Sequence, residues 1–257
     1  MQQSYFLAPH VYPCVTDDHV VLLDLQRDKY VGVSREQMAG LAARVKGWPV
    51  PESLAPGEPS ADSAAGASSA GDVRTPNATA ASESVINKML AAGMLTTDAS
   101  VGKEARPVQM PRPDAVLVIE DLETRPEVRL VHVVRFLWAS GVTALSLRWR
   151  SIESVIASLS ARNKAGRARA PTLDLDTART AVAAFIRLRP LLFGAQDACL
   201  FDSLAMMRYL SYFRVFPTCV IGVQTGPFGA HCWVQHETMV FNDVPEYVRR
   251  FTPILAV

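Results

Sequence analysis

The chain has 257 residues, enough for one large or two modest domains. Hydrophobic residues make up 49% of it and charged residues 20%, so most of the chain can bury a core. The formal net charge is +1, which gives no electrostatic basis for binding nucleic acid, because such domains normally carry a basic surface. We therefore expect a globular protein without a nucleic-acid partner.

The cysteines are few and scattered, at Cys14, Cys199, Cys219 and Cys232. No two have the C-x-x-C spacing that is typical of zinc ribbons and redox motifs. The first ten residues have no basic region followed by an apolar stretch, so we predict no signal peptide. These features favour a cytoplasmic protein with reduced thiols and no bound metal.

The longest apolar segment covers residues 128–149 and contains Arg129, His132, Arg135 and Arg148. A charged side chain at the centre of a bilayer costs about 3 kcal/mol or more. We therefore expect neither a membrane-spanning helix nor a membrane partner.

The first fifty residues have the pattern of a small sheet followed by a helix. Residues 4–10 and 11–16 are short strand candidates that contain proline, and residues 19–34 predict a hairpin that turns at 26–28. Ser34 is a helix start, with Gln37 at the capping-box position. The apolar stripe of this helix consists of Met38, Leu41, Ala42 and Val45.

Residues 51–82 interrupt this pattern, because 22 of the 32 are Ala, Ser, Gly or Pro. Such a composition cannot bury enough apolar surface to offset the entropy of ordering, which predicts a flexible insertion. A helix follows, with Ser82 as its cap and Gly93 as its stop. Its predicted apolar face consists of Val85, Ile86, Met89 and Leu90. A polar, proline-bearing linker at 97–113 then separates a first domain, 1–100, from a second, 110–257.

The second domain begins with helices predicted at about 126–139, 151–163 and 176–193. A further helix is predicted from Asp197 to Arg214, ending before Pro217, and strand-like segments follow it to residue 243. Helices followed by antiparallel strands indicate an α+β fold.

Cys199 is the candidate nucleophile. With Asp197 as N-cap, Cys199 lies in the first turn of its helix, where unpaired backbone N–H groups favour an anion and lower a thiol pKa. The alternative is a small buried hydrophobic residue, the usual fate of a free cysteine. Three residues of the same helix are predicted to face the core: Leu200, Leu204 and Met207.

His231 and Asp243 are the candidate base and orienting carboxylate. If residues 236–238 form a turn, Gln235 pairs with Met239 and His231 with Asp243, which places the carboxylate beside the imidazole. Trp233 and Gln235 then share a face with His231, whereas Cys232, Val234 and His236 point to the other. This alternation also disfavours a zinc site formed by Cys199, His231, Cys232 and His236.

In this chain order Cys199, His231 and Asp243 form a nucleophile, base and orienting acid, unless they are three unrelated residues. The segments around them, at 199–210, 220–235 and 241–243, resemble the B protein of lasso-peptide biosynthesis, a transglutaminase-like cysteine leader peptidase. The resemblance covers about residues 110–257, and its catalytic positions match all three residues. Two positions depart from the family: Cys232 stands where alanine is usual, and Gln235 where an acidic residue is common.

The first domain is similar to the winged-helix-like PqqD-type domain that recognises leader peptides. The resemblance implies β-augmentation, in which the leader adds a strand to an exposed sheet edge and lies in a groove beside a helix. An ordinary exposed edge is the alternative. The segment chosen as this edge consists of Asp28, Lys29, Tyr30, Val31, Gly32 and Val33.

The resemblance further implies that the enzyme hydrolyses the leader–core bond of a ribosomal precursor that has Thr at the penultimate leader position. It implies an asparagine-synthetase-like cyclase as a partner, and stimulation by ATP, although the sequence contains no phosphate-binding Gly-rich loop. An oxyanion hole would include the backbone N–H of Cys199, with Gln196 as a weaker side-chain candidate. An acyl transferase on the same fold and a non-catalytic leader-binding adaptor are the alternatives.

Overall fold

The computed structural model describes residues 3–16, 19–49, 76–117, 127–170, 172–192 and 199–257. The predicted flexible insertion lies outside these residues except for 76–82, which are helical. Helices and strands are mixed, which confirms the α+β class. The chain divides into two compact units, unit 1 from Met1 to Pro107 and unit 2 from Val108 to Val257, and the division falls within the predicted linker at 97–113.

Unit 1 contains two small sheets. The first is a three-stranded antiparallel sheet of order β2-β3-β4, and the second pairs β1 with β5. The predicted hairpin is confirmed, because β3 and β4 are antiparallel and pair in register. The strands are β1 (Phe6–Leu7), β2 (Val11–Val15), β3 (Val20–Asp24), β4 (Lys29–Val33) and β5 (Leu95–Thr96).

The first helix, α1 (Arg35–Ala42), begins where the capping signal predicts. The backbone N–H of Ser34 donates to Oε1 of Gln37 at 3.1 Å, which is one half of a capping box. Met38 and Leu41 are buried as predicted. Ala42 was wrongly assigned to the apolar stripe, since it ends the helix and is exposed.

The second helix, α2 (Pro76–Ala91), begins six residues before the predicted cap. Its core-facing side is as expected, with Ile86 and Met89 buried. Gly93 ends it with a φ of +66°, a conformation that favours glycine because other residues have a Cβ there. The core of unit 1 joins the inner sides of these helices to the strands, and its fully buried members include Leu7, Val11, Val20, Leu22, Leu41 and Ile86.

Unit 2 begins with the short strand β6 (Ala115–Val116), which was not predicted, and continues with three helices, of which the first is longer than predicted. α3 covers Leu130–Trp149, ten residues beyond the predicted end at 139. The Ser140–Gly141 pair has low helix propensity, which favours the end of a helix there. Ser140 is buried inside the unit, however, so tertiary packing stabilises the continuation of the helix. The other two are α4 (Ile152–Arg169) and α5 (Leu175–Leu188), the latter followed by a 3₁₀ turn, Arg189–Leu191.

Within the described part of the chain, α3 alone is long and apolar enough to cross a membrane, judged by length and composition only.

A five-stranded sheet joins β6 to β7 (Thr218–Thr225), β8 (Phe228–His236), β9 (Met239–Val240) and β10 (Thr252–Ala256). Its strand order is β10-β7-β8-β9-β6. Helix α6 (Cys199–Ser211) packs on its strand β8 and also against α3, which makes α6 the centre of the unit. Leu204 and Met207 are buried as predicted, whereas Leu200 is half-buried. The remaining helix is α7 (Pro245–Val248).

Candidate active site

Cys199 is the first residue of α6 and is half-buried. The structure thus confirms its position in the first helical turn, where backbone N–H groups have no partner within the helix. The predicted N-cap, Asp197, and the side-chain candidate for the oxyanion hole, Gln196, both lie outside the described residues.

The Cys199 thiol is hydrogen-bonded to the side chain of His231, and this contact is the main cause of a lowered thiol pKa. Burial opposes the shift, while the backbone N–H groups of Cys232 and Leu200 and the charge of His231 add to it. A thiol with a lowered pKa is more often a thiolate at neutral pH, and the thiolate is the nucleophilic form of cysteine.

His231 connects the thiol to a carboxylate. Its Nε2 lies 2.6 Å from Oδ2 of Asp243, which leaves Nδ1 as the ring nitrogen available to Cys199. Burial disfavours the charged imidazole, but the hydrogen bonds to Asp243 and Cys199 outweigh it and raise the pKa of His231 to about 9. At neutral pH the ring is therefore an imidazolium, and it lies beside a thiol whose pKa is lowered.

The strand pairing that brings His231 and Asp243 together differs from the predicted one. Gln235 pairs with Val240 and His236 with Met239, so the register is shifted by one residue and the predicted pairing of His231 with Asp243 was wrong. The turn consists of two residues, and Glu237 adopts a φ of +50° in it. Because β9 ends at Val240, the carboxylate reaches the imidazole from a bend and not from a paired strand position.

Asn242 shapes that bend through its side chain. Its Oδ1 accepts a hydrogen bond from the backbone N–H of Val234 at 2.8 Å. This oxygen takes the role that a backbone carbonyl of a neighbouring strand has in a regular sheet. Its Nδ2 donates to Oδ2 of Asp202 at 2.8 Å and to Oγ of Ser203 at 3.1 Å. One amide therefore ties α6, β8 and the segment that carries Asp243 to one another.

Asp202 lies one turn after Cys199 and is almost completely buried. Burial raises the pKa of its carboxyl group against the opposing effects of Asn242 and Arg189. Nη1 of Arg189 lies 3.5 Å from Oδ2 of Asp202 and 3.3 Å from the backbone oxygen of Asn242. A cavity of about 450 Å³ opens beside these groups, lined by Arg189, Cys199, Asp202, His231, Cys232, Asn242, Asp243 and Tyr247.

Aromatic rings enclose His231. Trp233 stacks parallel to it, Tyr247 meets it edge-on at 5.0 Å between centroids, and Phe251 is 5.2 Å away. Trp233 fits because Gly222, which pairs with His231 and lies diagonally across from Trp233 on β7, has no Cβ; a Cβ there would lie 2.8 Å from the indole. These rings restrict the rotation of the imidazole and explain part of its burial.

The predicted faces of β8 are as expected. Trp233 lies on the His231 side, and its Nε1 donates to Oε1 of Gln235 at 2.9 Å. Cys232 is turned away and lies with its sulfur 3.4 Å from that of Cys219 in the core. Among the described residues, no group of three or more His, Cys, Asp or Glu side chains is placed to hold a metal ion.

Two of the other cysteines, Cys14 and Cys232, have surroundings that disfavour a thiolate. Burial raises the pKa of Cys14 to about 12. The contact with Cys219 and complete burial raise the pKa of Cys232 far above its ordinary value. Cys199 is the one cysteine of the four that is not buried, which separates it from the rest on accessibility as well.

The residues predicted to bind a leader lie in unit 1, on β4 and its preceding turn. β4 is an edge of the three-stranded sheet, since it pairs with β3 on one side and has no partner strand among the described residues on the other. Lys29, Val31 and Gly32 are exposed, while Val33 is buried in the core of the unit. Among the strands that the structure describes, β4 therefore has one unpaired edge.

Sequence reasoning missed the supporting residues of the site, namely Asn242, Asp202, Arg189, Tyr247 and Phe251. Only Asn242 carried a local signal, as a polar residue next to Asp243 at the end of a strand-like run. The others are recognisable only when the fold brings distant segments together.

The family comparison concerns the part of the chain that carries this geometry. Residues 139–256 match the family model described as Transglutaminase-like superfamily, and the match includes Cys199, His231 and Asp243. Residues 139–256 form a transglutaminase-like domain. Members of that superfamily are typically cysteine-protease-like enzymes. No curated protein and no solved structure matches the chain.

Proposed function

We propose that the transglutaminase-like domain is a cysteine peptidase with Cys199 as nucleophile, His231 as acid and base, and Asp243 as the orienting acid. The observation that carries this proposal is the continuous contact from thiol to imidazole to carboxylate, with the thiol pKa lowered and the imidazole pKa raised. The site opens to a cavity, so a peptide can reach the sulfur.

In this mechanism the Cys199 thiolate attacks the carbonyl carbon of the scissile bond, and the backbone N–H of Cys199 helps to stabilise the oxyanion. The His231 imidazolium then gives its proton to the leaving amine, so the C–N bond breaks and a thioester with Cys199 remains. Neutral His231 next takes a proton from water, whose oxygen attacks the thioester and releases the acid and the thiolate. Asp243 holds the ring in orientation throughout.

For the substrate we propose the leader–core bond of a ribosomally made lasso-peptide precursor. Support comes from the resemblance of the segments around Cys199, His231 and Asp243 to the lasso leader peptidase. The open edge of β4 supports leader binding by unit 1, which we propose to be a PqqD-like domain. We place the reaction in the cytoplasm, with an asparagine-synthetase-like cyclase as partner. We also propose that ATP stimulates the reaction without being a tightly bound cofactor of this chain.

A second candidate is an acyl transferase that passes the Cys199 acyl group to an amine instead of to water. The match to a transglutaminase-like family supports the transferase as a candidate. Hydrolysis and transfer to an amine both proceed through the same thioester with Cys199. A non-catalytic leader-binding adaptor is disfavoured by the complete set of Cys199, His231 and Asp243.

The test uses the full chain, a synthetic precursor peptide and mass spectrometry of the products. Cys199→Ala should abolish cleavage, a loss of about a thousandfold or more, whereas Cys219→Ala should remain active because its sulfur lies in the core. Hydrolysis gives free leader with a new carboxyl group, and transfer gives an amine adduct of the leader. If Cys199→Ala still cuts the precursor at the rate of the unchanged chain, the peptidase proposal fails.

A further inference from the structure

Helix α3 is apolar on two opposite faces. Its inner face is buried in unit 2 and includes Phe136, Ala139 and Thr143. The opposite side, which we name the outer face, carries large apolar side chains at helical spacing and is exposed to solvent. The outer face consists of Leu130, Val134, Leu137, Trp138, Leu145 and Trp149.

The exposure of the outer face is high for side chains of this size. Leu130 is 78% exposed, Trp138 65% and Trp149 77%. A soluble monomer rarely exposes a continuous row of large apolar residues, and such a surface indicates an interaction site. At 1.5 Å per residue, the row extends about 30 Å along the helix.

Positive charge is placed at both ends of this row. Arg129 precedes the helix, Arg148 and Arg150 end it, and all three are exposed. Residues 128–152 contain no Asp or Glu. The outer face therefore has a cationic group at each end and no anionic group on its own helix.

The arginines at the two ends of the outer face lack carboxylate partners. Within the described residues, none of Arg129, Arg148 and Arg150 belongs to an ion pair. Arg208 of α6 does not add to this charge, because its Nε donates to Oγ1 of Thr143 on the inner face. A cluster of cations without carboxylate partners favours a partner that supplies negative charge.

We propose that the outer face of α3 docks on an anionic lipid surface, with the helix axis in the membrane plane. The apolar row enters the boundary between headgroups and acyl chains, while the arginines at its two ends contact lipid phosphates. Trp138 and Trp149 suit this depth, because indole rings favour the membrane–water interface.

This arrangement fits a membrane surface better than a protein partner. The outer face is a convex ridge, so a protein partner could cover it only with a groove of matching shape. A lipid surface is fluid and can surround the ridge without a preformed groove. The proposal replaces the sequence-based expectation of no membrane partner. It does not replace the argument against a spanning helix, since the inner face of α3 packs against protein.

The first experiment measures binding of the full chain to vesicles by co-sedimentation. We compare vesicles of phosphatidylcholine alone with vesicles that also contain phosphatidylglycerol, at low and high salt. Binding should be stronger to the anionic vesicles and should weaken with salt. Tryptophan emission should shift to the blue, because Trp138 and Trp149 enter an apolar phase while Trp48 and Trp233 are already buried.

The variants remove the apolar row without touching the core. Val134→Gln combined with Trp138→Gln should lower the partition onto anionic vesicles by about tenfold or more. Val101→Gln is the matched control in unit 1, because Val101 and Val134 are the same residue type and both are 57% exposed. Arg148→Gln with Arg150→Gln should lower binding to the anionic vesicles and reduce its salt dependence.

The proposal is overturned if the full chain binds neither kind of vesicle, or if the double variant binds as well as the control. It is also overturned if the full chain is a dimer by light scattering that the double variant converts to a monomer, since a second copy then covers the face. Equal binding to neutral and anionic vesicles contradicts the role of the arginines. Every readout is binding or mass, so these outcomes are independent of the proposed peptidase activity.

Discussion

The four cysteines of this chain differ in how far their surroundings allow a thiolate. We predict that limiting iodoacetamide at neutral pH labels Cys199 about tenfold faster than any other cysteine, because its pKa is lowered while burial raises that of Cys14. Peptide mapping of the adducts measures this, with the denatured chain as the control in which all four react. Dominant labelling of Cys219 or Cys232, with activity lost in step, would contradict the assignment.

The raised pKa of His231 predicts the alkaline side of the pH profile. The imidazolium supplies the proton to the leaving amine, so kcat/KM should be retained at neutral pH and fall as pH rises through about 9. Asp243→Asn removes the charge that raises this pKa. The fall should then move to lower pH, and the remaining activity should be small but measurable.

The measurement is kcat/KM against pH for the unchanged chain and for Asp243→Asn. Glu246→Gln serves as the control, since it removes an exposed carboxylate a few residues further along the chain. If kcat/KM falls at the same alkaline pH in Asp243→Asn as in the unchanged chain, the contact between His231 and Asp243 does not determine that pH.

Asn242 should matter for stability as well as for activity. Asn242→Ala leaves the backbone N–H of Val234 without a partner and removes the closer of the two partners of the buried Asp202 carboxylate, at a cost of about 1–3 kcal/mol. Denaturant unfolding measures this loss. Because the same amide fixes the bend that carries Asp243, kcat should fall more than KM rises, which a purely global loss of stability does not produce below the unfolding transition.

Strand β4 is the element on which the leader-binding proposal depends. We predict that Val31→Glu weakens leader binding by about tenfold, because a charge at an exposed strand edge opposes pairing with another chain. Val101→Glu is the control, an exposed valine of the same unit outside the strands. Fluorescence anisotropy of a labelled leader peptide measures the affinity. Equal affinities of the two variants would remove β4 from the binding surface.

Leader binding and peptide cleavage should be separable when the two units are made as separate chains. Unit 1 and unit 2 each have their own sheets, helices and buried residues, and they divide after Pro107. A chain split there should give an N-terminal piece that binds leader and a C-terminal piece that retains Cys199, His231 and Asp243 but cuts poorly. The reason for the poor cutting is that the tether no longer raises the local substrate concentration.

Both pieces are assayed alone and mixed, by leader affinity and by cleavage. A C-terminal piece that processes the precursor as fast as the full chain would show that unit 1 does not deliver the substrate. A shorter change, deletion of residues 55–78, should affect cleavage less than the split, because that segment contains few side chains able to pack.

Features with a local physical cause were predictable from the sequence. The hairpin of β3 and β4 follows from two apolar runs around a polar turn, and the start of α1 follows from the Ser34 and Gln37 pair. The end of α2 follows from Gly93, whose positive φ suits glycine. The position of Cys199 at a helix start, and the chain order of Cys199, His231 and Asp243, were likewise available without coordinates.

Features that depend on distant segments were decided only by the tertiary structure. The register of β8 with β9 shifted by one residue because a two-residue turn and the Asn242 side chain replaced the symmetrical pairing expected from sequence. The contact of His231 with Asp243 therefore arises by a different path from the predicted one. Helix α3 shows the same limit: its sequence is apolar on two opposite faces, and only the packing of α6 and α5 against one of them determines which face is left outside.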